Sequence, residues 1–298
     1  MIYPKRFQVE TVFGCNASCV MCPVDEPTTR RKGVMDLEVF KRLIDQVAPY
    51  ADQLTKTDLF GIGEPLLDRT ICEKIAYAKL RGLPSVAIST NADLLDEERA
   101  LRLLASGVDV VIFSIDGATA ATHEAIRIGT HFDRVVANVE RFVTLRDGQV
   151  SPTRIVFRFI RQDGNRGEWE AFRSRWLPRA RLDRGDQVIA YDVQSWGGKI
   201  GIPKGTSLPQ VPPELPCHHV WDRLIVLQDG TVPLCCADVH QPELDLGNAF
   251  QASPIEIYNG SKFEGIRELH RSGRRNEMRI CRDCTILQSE LAQQVIER

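Results

Sequence analysis

The stretch "GCNASCVMC", residues 14–22, places Cys15, Cys19 and Cys22 within eight residues. It follows a β-branched and aromatic run at residues 7–12, so we expect it in the loop after the first strand. Structural zinc sites normally close with four ligands in CxxC-like pairs, which this spacing fits poorly. A cubane [4Fe-4S] cluster normally takes four cysteines, so three leave one iron open. A redox pair with a spare thiol is the third alternative.

Strand-like and helix-like patterns alternate outward from this loop. Strands are predicted at residues 7–12, 57–60, 86–89, 108–114, 154–160 and 188–193. Helical patterns follow at residues 36–47, 67–81, 94–105, 132–146 and 167–178. In the first of these, Asp36 is the predicted cap of a helix with one apolar stripe, formed by Phe40, Leu43, Ile44 and Val47. The alternation predicts an α/β fold with a parallel sheet, either doubly wound or a full or partial barrel.

Polar and glycine-rich motifs follow three further strands. They are "FGIGEP" (60–65), "STNA" (89–92) and "SIDG" (114–117). Both architectures place active-site loops at the carboxyl ends of strands. Each motif alone is compatible with ordinary turn chemistry. The first lacks the third, helix-opening glycine of a dinucleotide-binding loop, which disfavours that alternative.

The pattern changes near residue 200, where "GKIGIPKGTSLPQVPPELP" (198–216) is typical of a linker. After it we predict a hairpin in "RLIVLQDGTVPLC" (223–235), with its turn at Asp229-Gly230. A helix is predicted from Ser253-Pro254 to Gly273. The predicted domains are residues 1–200 and 201–298.

The second half also holds a second cysteine set: Cys217, Cys235, Cys281 and Cys284. Twelve residues separate Cys217 from Gly230 and four more separate Gly230 from Cys235, while the last two cysteines form a CxxC pair. Taken alone, these four cysteines are compatible with a zinc ribbon.

Taken together, the motifs resemble those of the radical S-adenosylmethionine (radical SAM) superfamily. The resemblance implies a partial (β/α)6 TIM-like barrel in which Cys15, Cys19 and Cys22 ligate a [4Fe-4S] cluster. In that family the open iron chelates SAM, and reductive cleavage of SAM yields a 5'-deoxyadenosyl radical that abstracts hydrogen from the substrate.

The same resemblance assigns the SAM contacts. Gly61 and Gly63 would let the backbone approach SAM, and Glu64 would accept from its methionine amino group. The remaining contacts are Ser89 and Asn91 at the ribose, together with Ser114 and Arg127 in "HEAIRIG". Met21 stands where the family often has an aromatic residue against adenine, and a thioether can pack on a ring.

The second half resembles SPASM and twitch domains, including "LGNAF" (246–250). Because no cysteine follows Cys284, it looks like the shorter twitch form, a hairpin plus helix. This implies one auxiliary [4Fe-4S] cluster, ligated by Cys217, Cys235, Cys281 and Cys284. Of the other two cysteines, Cys72 is expected in the core. Cys236 is expected to face the space between the two clusters.

Cys236 suggests a reaction, because a thiol can return hydrogen to the opposite face of a carbon radical and give an epimer. The alternatives for Cys236 are a packing role or ligation in place of Cys235. The protein as a whole has three alternative functions. It could oxidise an alcohol to a ketone, with the auxiliary cluster as electron acceptor, or modify a ribosomal peptide by radical chemistry. It could also be a zinc-stabilised binding protein. The oxidation would also need a general base.

A small polar substrate is expected, such as a sugar, aminocyclitol or aminoglycoside. The first strand begins near residue 7, which leaves no room ahead of it for the peptide-recognition domain of many peptide-modifying relatives. Candidate pocket residues are Asp238, His218, His219, Arg158, Arg161 and Trp196. The expected partner is an external electron donor such as flavodoxin or ferredoxin.

Composition excludes several other classes. A formal net charge of -2 and a pI near 6.3 give no electrostatic footprint for nucleic acid or an anionic membrane, so neither partner is expected. The N-terminus lacks the apolar region of a signal peptide, and no apolar run approaches about 18 residues. We therefore predict a cytoplasmic protein, in which nine cysteines favour metal ligation over disulfides.

Overall fold

Seven parallel strands form the central sheet of the structure, a computed structural model that describes residues 1–201, 208, 211–212 and 214–293. The strands are β1 Arg6–Val9, β2 Lys56–Asp58, β3 Val86–Thr90, β4 Val110–Ser114, β5 Arg154–Arg161, β6 Gln187–Asp192 and β7 Arg223–Val226. Their order in the sheet is β6-β5-β4-β3-β2-β1-β7. Within the described residues β6 and β7 are its two edges, so the sheet is a partial, open barrel.

Helices cover the sheet and build the C-terminal region. They are α1 Leu37–Val47, α2 Ile71–Leu80, α3 Glu97–Ala105, α4 Ala120–Ile126, α5 Phe132–Gly148, α6 Trp169–Trp176, α7 His219–Asp222, α8 Pro254–Tyr258, α9 Ser261–Arg271, α10 Arg279–Arg282 and α11 Ile286–Gln293. Short 3-10 turns occupy Pro23–Asp25, Ala48–Gln53, Pro65–Leu67, Arg166–Glu168, Leu177–Arg179, Leu182–Arg184 and Arg275–Glu277. In the part of the chain described, no helix is long and apolar enough to cross a bilayer.

The alternating direction of side chains along each strand divides the sheet into two faces. Val111 and Phe113 of β4 point into the main core beneath the helices. Their neighbours Val110, Ile112 and Ser114 line a cavity on the other face. The concave face of the partial barrel is therefore free to hold a ligand.

The six predicted strands and the parallel α/β class are confirmed, but the predicted hairpin is wrong in one respect. The turn is present, since the Leu227 N–H donates to the Thr231 carbonyl and Gly230 has φ +85°. Its first arm, however, is β7, which pairs in parallel with β1. A continuous apolar run such as Leu224–Val226 suits a parallel strand covered on both faces. The domain boundary at residue 200 stays a prediction, and part of the linker stretch lies outside the described residues.

The helix predicted up to Gly273 is two helices, α8 and α9, interrupted at Asn259 and Gly260. The Asn259 side chain donates to the carbonyls of Ile255 (2.9 Å) and Ile2 (3.0 Å). Asparagine that bonds to the main chain, followed by glycine, favours a helix end over a helix interior. The predicted helix end at Gly273 is found, with φ +72° one residue after the C-cap.

The cap of α1 yields a stability prediction. The Asp36 carboxylate accepts from the N–H groups of Glu38 (2.9 Å) and Val39 (3.1 Å), and the predicted apolar stripe is buried. Asp36→Ala should lower the free energy of unfolding by about 1 kcal/mol, because two N–H groups lose their acceptor. Urea unfolding measures the change. Asp52→Ala, at an exposed aspartate, is the control and should change little, and equal losses would contradict the capping role.

Candidate active site

The three cysteines of the first motif lie together at one end of a cavity of about 860 Å³. Residues Ser18–Cys19 pair with Arg127–Ile128 in a two-residue antiparallel ladder. The Trp196 indole donates to the Met21 carbonyl at 2.9 Å. These contacts fix the loop from two directions.

The electrostatics of these cysteines suit a bound metal cluster. Burial raises the pKa of Cys15 and of Cys22 to about 12, and it also raises the pKa of Cys19. Metal ligation requires thiolates, so the positive charge of bound iron is what would make these sulfurs ionise. The Arg127 guanidinium donates to the Cys19 Sγ at 3.7 Å, and the Asn91 amide donates to the Cys15 Sγ at 3.8 Å. These hydrogen bonds to the sulfur atoms also favour the thiolate form.

Glu64, the expected acceptor for the methionine amino group, is buried at the end of the 60–65 loop. Its carboxylate accepts from the Thr90 hydroxyl (2.7 Å) and from the N–H groups of Asn91 (2.8 Å) and Leu66 (3.0 Å). Burial raises its pKa and these bonds oppose the rise. A carboxylate has about four acceptor positions, so roughly one remains for a ligand.

The two glycines of this loop line the cavity, but contacts within the protein already require them. An added Cβ on Gly63 would lie 2.3 Å from the Val12 carbonyl oxygen and 2.8 Å from that of Gly14. One on Gly61 would lie 2.5 Å from the Glu10 side chain. Both glycines thus let this loop pack against the segment that leads into the cysteine loop, and their close approach to SAM stays a prediction.

Two of the predicted SAM contacts, Ser89 and Ser114, meet at one arginine. Arg158 of β5 donates to the hydroxyls of Ser89 (2.9 Å) and Ser114 (2.5 Å), and all three residues line the cavity. The Arg158 Nε has no partner among the described residues. A guanidinium and two hydroxyls give this wall donors and acceptors suited to a polar ligand.

Asp116, which our sequence analysis missed, holds Arg127 in place. It is fully buried and lies 2.6 Å from the Arg127 Nη2, while its other oxygen accepts from the Ile160 N–H at 2.6 Å. Asp116 was visible in "SIDG", but a single carboxylate after a strand gives no spacing signal.

A buried ion pair between Glu10 and Arg30, also missed, supports the other side of the cysteine loop. Arg30 donates to the Val239 carbonyl at 2.6 Å and stacks over Phe13 at 4.0 Å. Burial raises the pKa of Glu10 and Arg30 opposes that rise. The pair connects β1 to the C-terminal region.

The second cysteine set surrounds a separate, smaller cavity, lined by Cys217, Cys235, Cys281 and Cys284. In tetrahedral zinc sites, sulfurs about 2.3 Å from the metal lie about 3.8 Å apart. In the described residues no three cysteine sulfurs lie within 4.8 Å of one another; the group that meets that limit is His218, His219 and Glu290. In a cubane, each of the four cysteines would bind a different iron.

Cys236 and its neighbour Cys235 line different cavities. Cys236 lines the large cavity and packs in the cluster that contains Cys15 and Cys22, whereas Cys235 lines the small cavity. The geometry thus brings Cys236 to the three-cysteine loop and leaves four cysteines around the second cavity.

Half of the predicted pocket residues reach the large cavity: Arg158, His219 and Trp196 line it. The prediction is wrong for the other three residues, which do not line this cavity. Asp238 accepts from the N–H groups of Leu234 and Glu243, Arg161 pairs with Asp192, and His218 is half exposed. Cys72, predicted as core, is half-buried against the main core.

Two protein-family models match this chain. The model of the radical SAM superfamily matches residues 9–156, and the model of the SPASM iron-sulfur cluster-binding domain matches residues 217–285. The AdoMet-dependent heme synthase of Methanosarcina barkeri is 33% identical over 138 residues, 46% of this chain and 38% of that protein. The aligned part therefore spans well under half of that relative.

Two solved structures share the fold over nearly the whole chain. BtrN in complex with AdoMet and 2-DOIA has a TM-score of 0.63 at 19% identity, covering 95% of this chain and 94% of that one. Streptococcus suis SuiB bound to precursor peptide SuiA has a TM-score of 0.68 at 14% identity, covering 97% and 71%.

The chain belongs to the radical SAM superfamily and carries a C-terminal SPASM/twitch-type domain. Its cofactors are SAM and two iron-sulfur clusters. The cysteine sets described above fit two such clusters, because one has three cysteines beside a large cavity and the other has four around a small one.

Gly63 provides a test of this site. Gly63→Ala should lower the free energy of unfolding by about 1–3 kcal/mol, because the new Cβ would collide with two carbonyl oxygens. It should also weaken SAM binding, since the collision displaces the cysteine loop. Thermal unfolding and SAM titration measure the two effects. Gly148→Ala, where an added Cβ meets nothing within 4 Å, is the matched control. Wild-type SAM affinity in Gly63→Ala would contradict the packing account.

Proposed function

We propose that this protein is a radical SAM epimerase of a small carbohydrate-like metabolite, such as a sugar, aminocyclitol or aminoglycoside. We assign Cys15, Cys19 and Cys22 to the SAM-binding cluster and Cys217, Cys235, Cys281 and Cys284 to the auxiliary cluster. The observation that carries the reaction is the position of Cys236. Its side chain lines the same cavity as the three-cysteine loop, while its neighbour Cys235 lines the other.

When bound, SAM supplies the 5'-deoxyadenosyl radical that removes a hydrogen atom from a carbinol carbon. Bound SAM would carry that hydrogen atom away on its 5'-deoxyadenosyl group. The Cys236 S–H bond then breaks, and its hydrogen atom forms the new C–H bond on the opposite face. One electron and one proton restore the thiol from the thiyl radical. The electron would come from an external donor such as flavodoxin or ferredoxin, and an auxiliary cluster held by Cys217, Cys235, Cys281 and Cys284 would pass it to Cys236.

The cavity supports a polar substrate of modest size. Its volume of about 860 Å³ is within the usual range of roughly 300–1,000 Å³ for ligand sites. Arg158 and Tyr191 line the cavity together with Ser89 and Ser114, the expected SAM contacts, and offer polar groups to a substrate held beside SAM. Hydroxyl and amino groups of a sugar-like ligand can satisfy these groups in place of water.

The test is an anaerobic assay with candidate aminocyclitols and aminoglycosides in heavy water, analysed by mass. Epimerisation predicts an isomeric product with one solvent deuterium and no other change in mass, because the Cys236 hydrogen exchanges with solvent. Cys236→Ala should abolish this product while 5'-deoxyadenosine still forms. Cys72→Ala, a half-buried cysteine outside both cavities, is the control and should behave as wild type.

Other outcomes of this assay would indicate a different activity. Loss of two hydrogens would show oxidation to a ketone. Turnover of a peptide alone would show a peptide-modifying enzyme. Epimerisation that persists in Cys236→Ala would remove the thiol from the reaction.

A further inference from the structure

We propose that His270 sets the reduction potential of the auxiliary cluster by donating a hydrogen bond from its Nε2 to the sulfur of Cys281. This inference rests on the proposed ligation of that cluster by Cys281. It is independent of the substrate and of the reaction at Cys236.

His270 lies in the last turn of α9 and is fully buried. It lines the small cavity together with the four cysteines. Its Nδ1 accepts from the Cys217 main-chain N–H at 3.1 Å, and its Nε2 lies 3.7 Å from the Cys281 Sγ. The ring therefore spans two of the proposed ligands, one through its backbone and one through its sulfur.

The first of these contacts fixes the tautomer. A ring nitrogen that accepts a hydrogen bond carries no proton, so the neutral imidazole has its hydrogen on the other nitrogen. Because Nδ1 accepts from Cys217, the hydrogen is on Nε2, which faces the sulfur of Cys281. An Nε2 that carries hydrogen has no lone pair for iron, so His270 is a donor to the cluster's sulfur and not a ligand.

A donor at this position changes the energy of electron transfer. Reduction adds negative charge to the cluster, and hydrogen bonds to cluster sulfurs are one of the factors that set its potential. The bond from His270 stabilises the reduced state more than the oxidised one, so it raises the potential. Cys284, by contrast, accepts from the main-chain N–H of Ile286 at 3.5 Å, a contact that side-chain substitution leaves in place.

The first cysteine site has the same kind of support, from Arg127 to Cys19 and from Asn91 to Cys15. Arg127 brings a positive charge to that site, whereas His270 is neutral in the tautomer that the Cys217 contact requires. The two clusters thus receive donors of different charge, which would give them different potentials.

The test is potentiometry of the auxiliary cluster alone, followed by electron paramagnetic resonance. The parent is the full chain with Cys15, Cys19 and Cys22 replaced by alanine, which removes the first cluster. His270→Leu in this parent should lower the midpoint potential. His270→Gln, whose amide can accept from Cys217 and donate to Cys281, should recover most of the shift. Trp221→Phe is the packing control, because Trp221 contacts the His270 ring edge-on at a 6.0 Å centroid distance; its potential should match that of the parent.

A second measurement covers the case in which His270→Leu assembles no cluster. In the reduced parent labelled with 15N-histidine, the bond predicts a weak nitrogen hyperfine coupling that disappears in His270→Gln. An unchanged potential in a loaded His270→Leu variant would overturn the proposal, as would a 15N coupling that persists in His270→Gln or one as large as that of a direct ligand. A parent that binds no iron would instead refute the proposed ligand set.

Discussion

The parallel pairing of β7 with β1 is the constraint on which the candidate active site depends. Arg6 pairs with Arg223 and Val9 with Val226, so the carboxyl ends of both strands lie side by side at the same end of the sheet. The chain leaving β1 forms the three-cysteine loop, and the chain leaving β7 turns back to Cys235 and Cys236. The pairing therefore brings the two cysteine sets to the same end of the sheet. The Arg30 contacts to Glu10 and Val239 strengthen the same connection.

As a consequence, two residues joined by one peptide bond line the two different cavities. Cys235 belongs to the small cavity and Cys236 to the large one. In the proposed reaction, Cys235 and Cys236 would provide a covalent path from the auxiliary cluster to the Cys236 thiol. Cys235 packs against the main apolar core, whereas Arg158 and Ser114 form a polar wall of the large cavity.

Local patterns in the sequence were sufficient for much of the fold. The stripe of α1 and its Asp36 cap depend on residues within about three turns, and the strands from residue 7 to 193 are short β-branched runs. The place of β7 was not predictable in this way, because its partner β1 lies more than 200 residues earlier in the chain. The turn at Gly230 suggested a local partner instead.

The residues of the candidate site, like the strands, were predictable only where their signal lies in the local sequence. The close spacing of Cys15, Cys19 and Cys22 is visible in the sequence alone, whereas Cys217 and Cys235 lie far from the CxxC pair and were grouped with it through the resemblance to SPASM and twitch domains. Asp116 and Glu10 act through buried ion pairs with Arg127 and Arg30, and one carboxylate paired with one arginine has no characteristic spacing in the sequence. Asp238 failed as a pocket residue because its oxygens accept from the main chain around Cys235 and Cys236, a role that becomes visible only in three dimensions.

We propose that three cysteines hold one open cluster and that four hold a second, closed one. Iron and zinc analysis of anaerobically purified protein tests it most directly. The account predicts about eight irons per chain, falling to about four when Cys15, Cys19 and Cys22 are all replaced by alanine, because each cubane holds four. Zinc without iron, or an iron content that the triple replacement leaves unchanged, would contradict it.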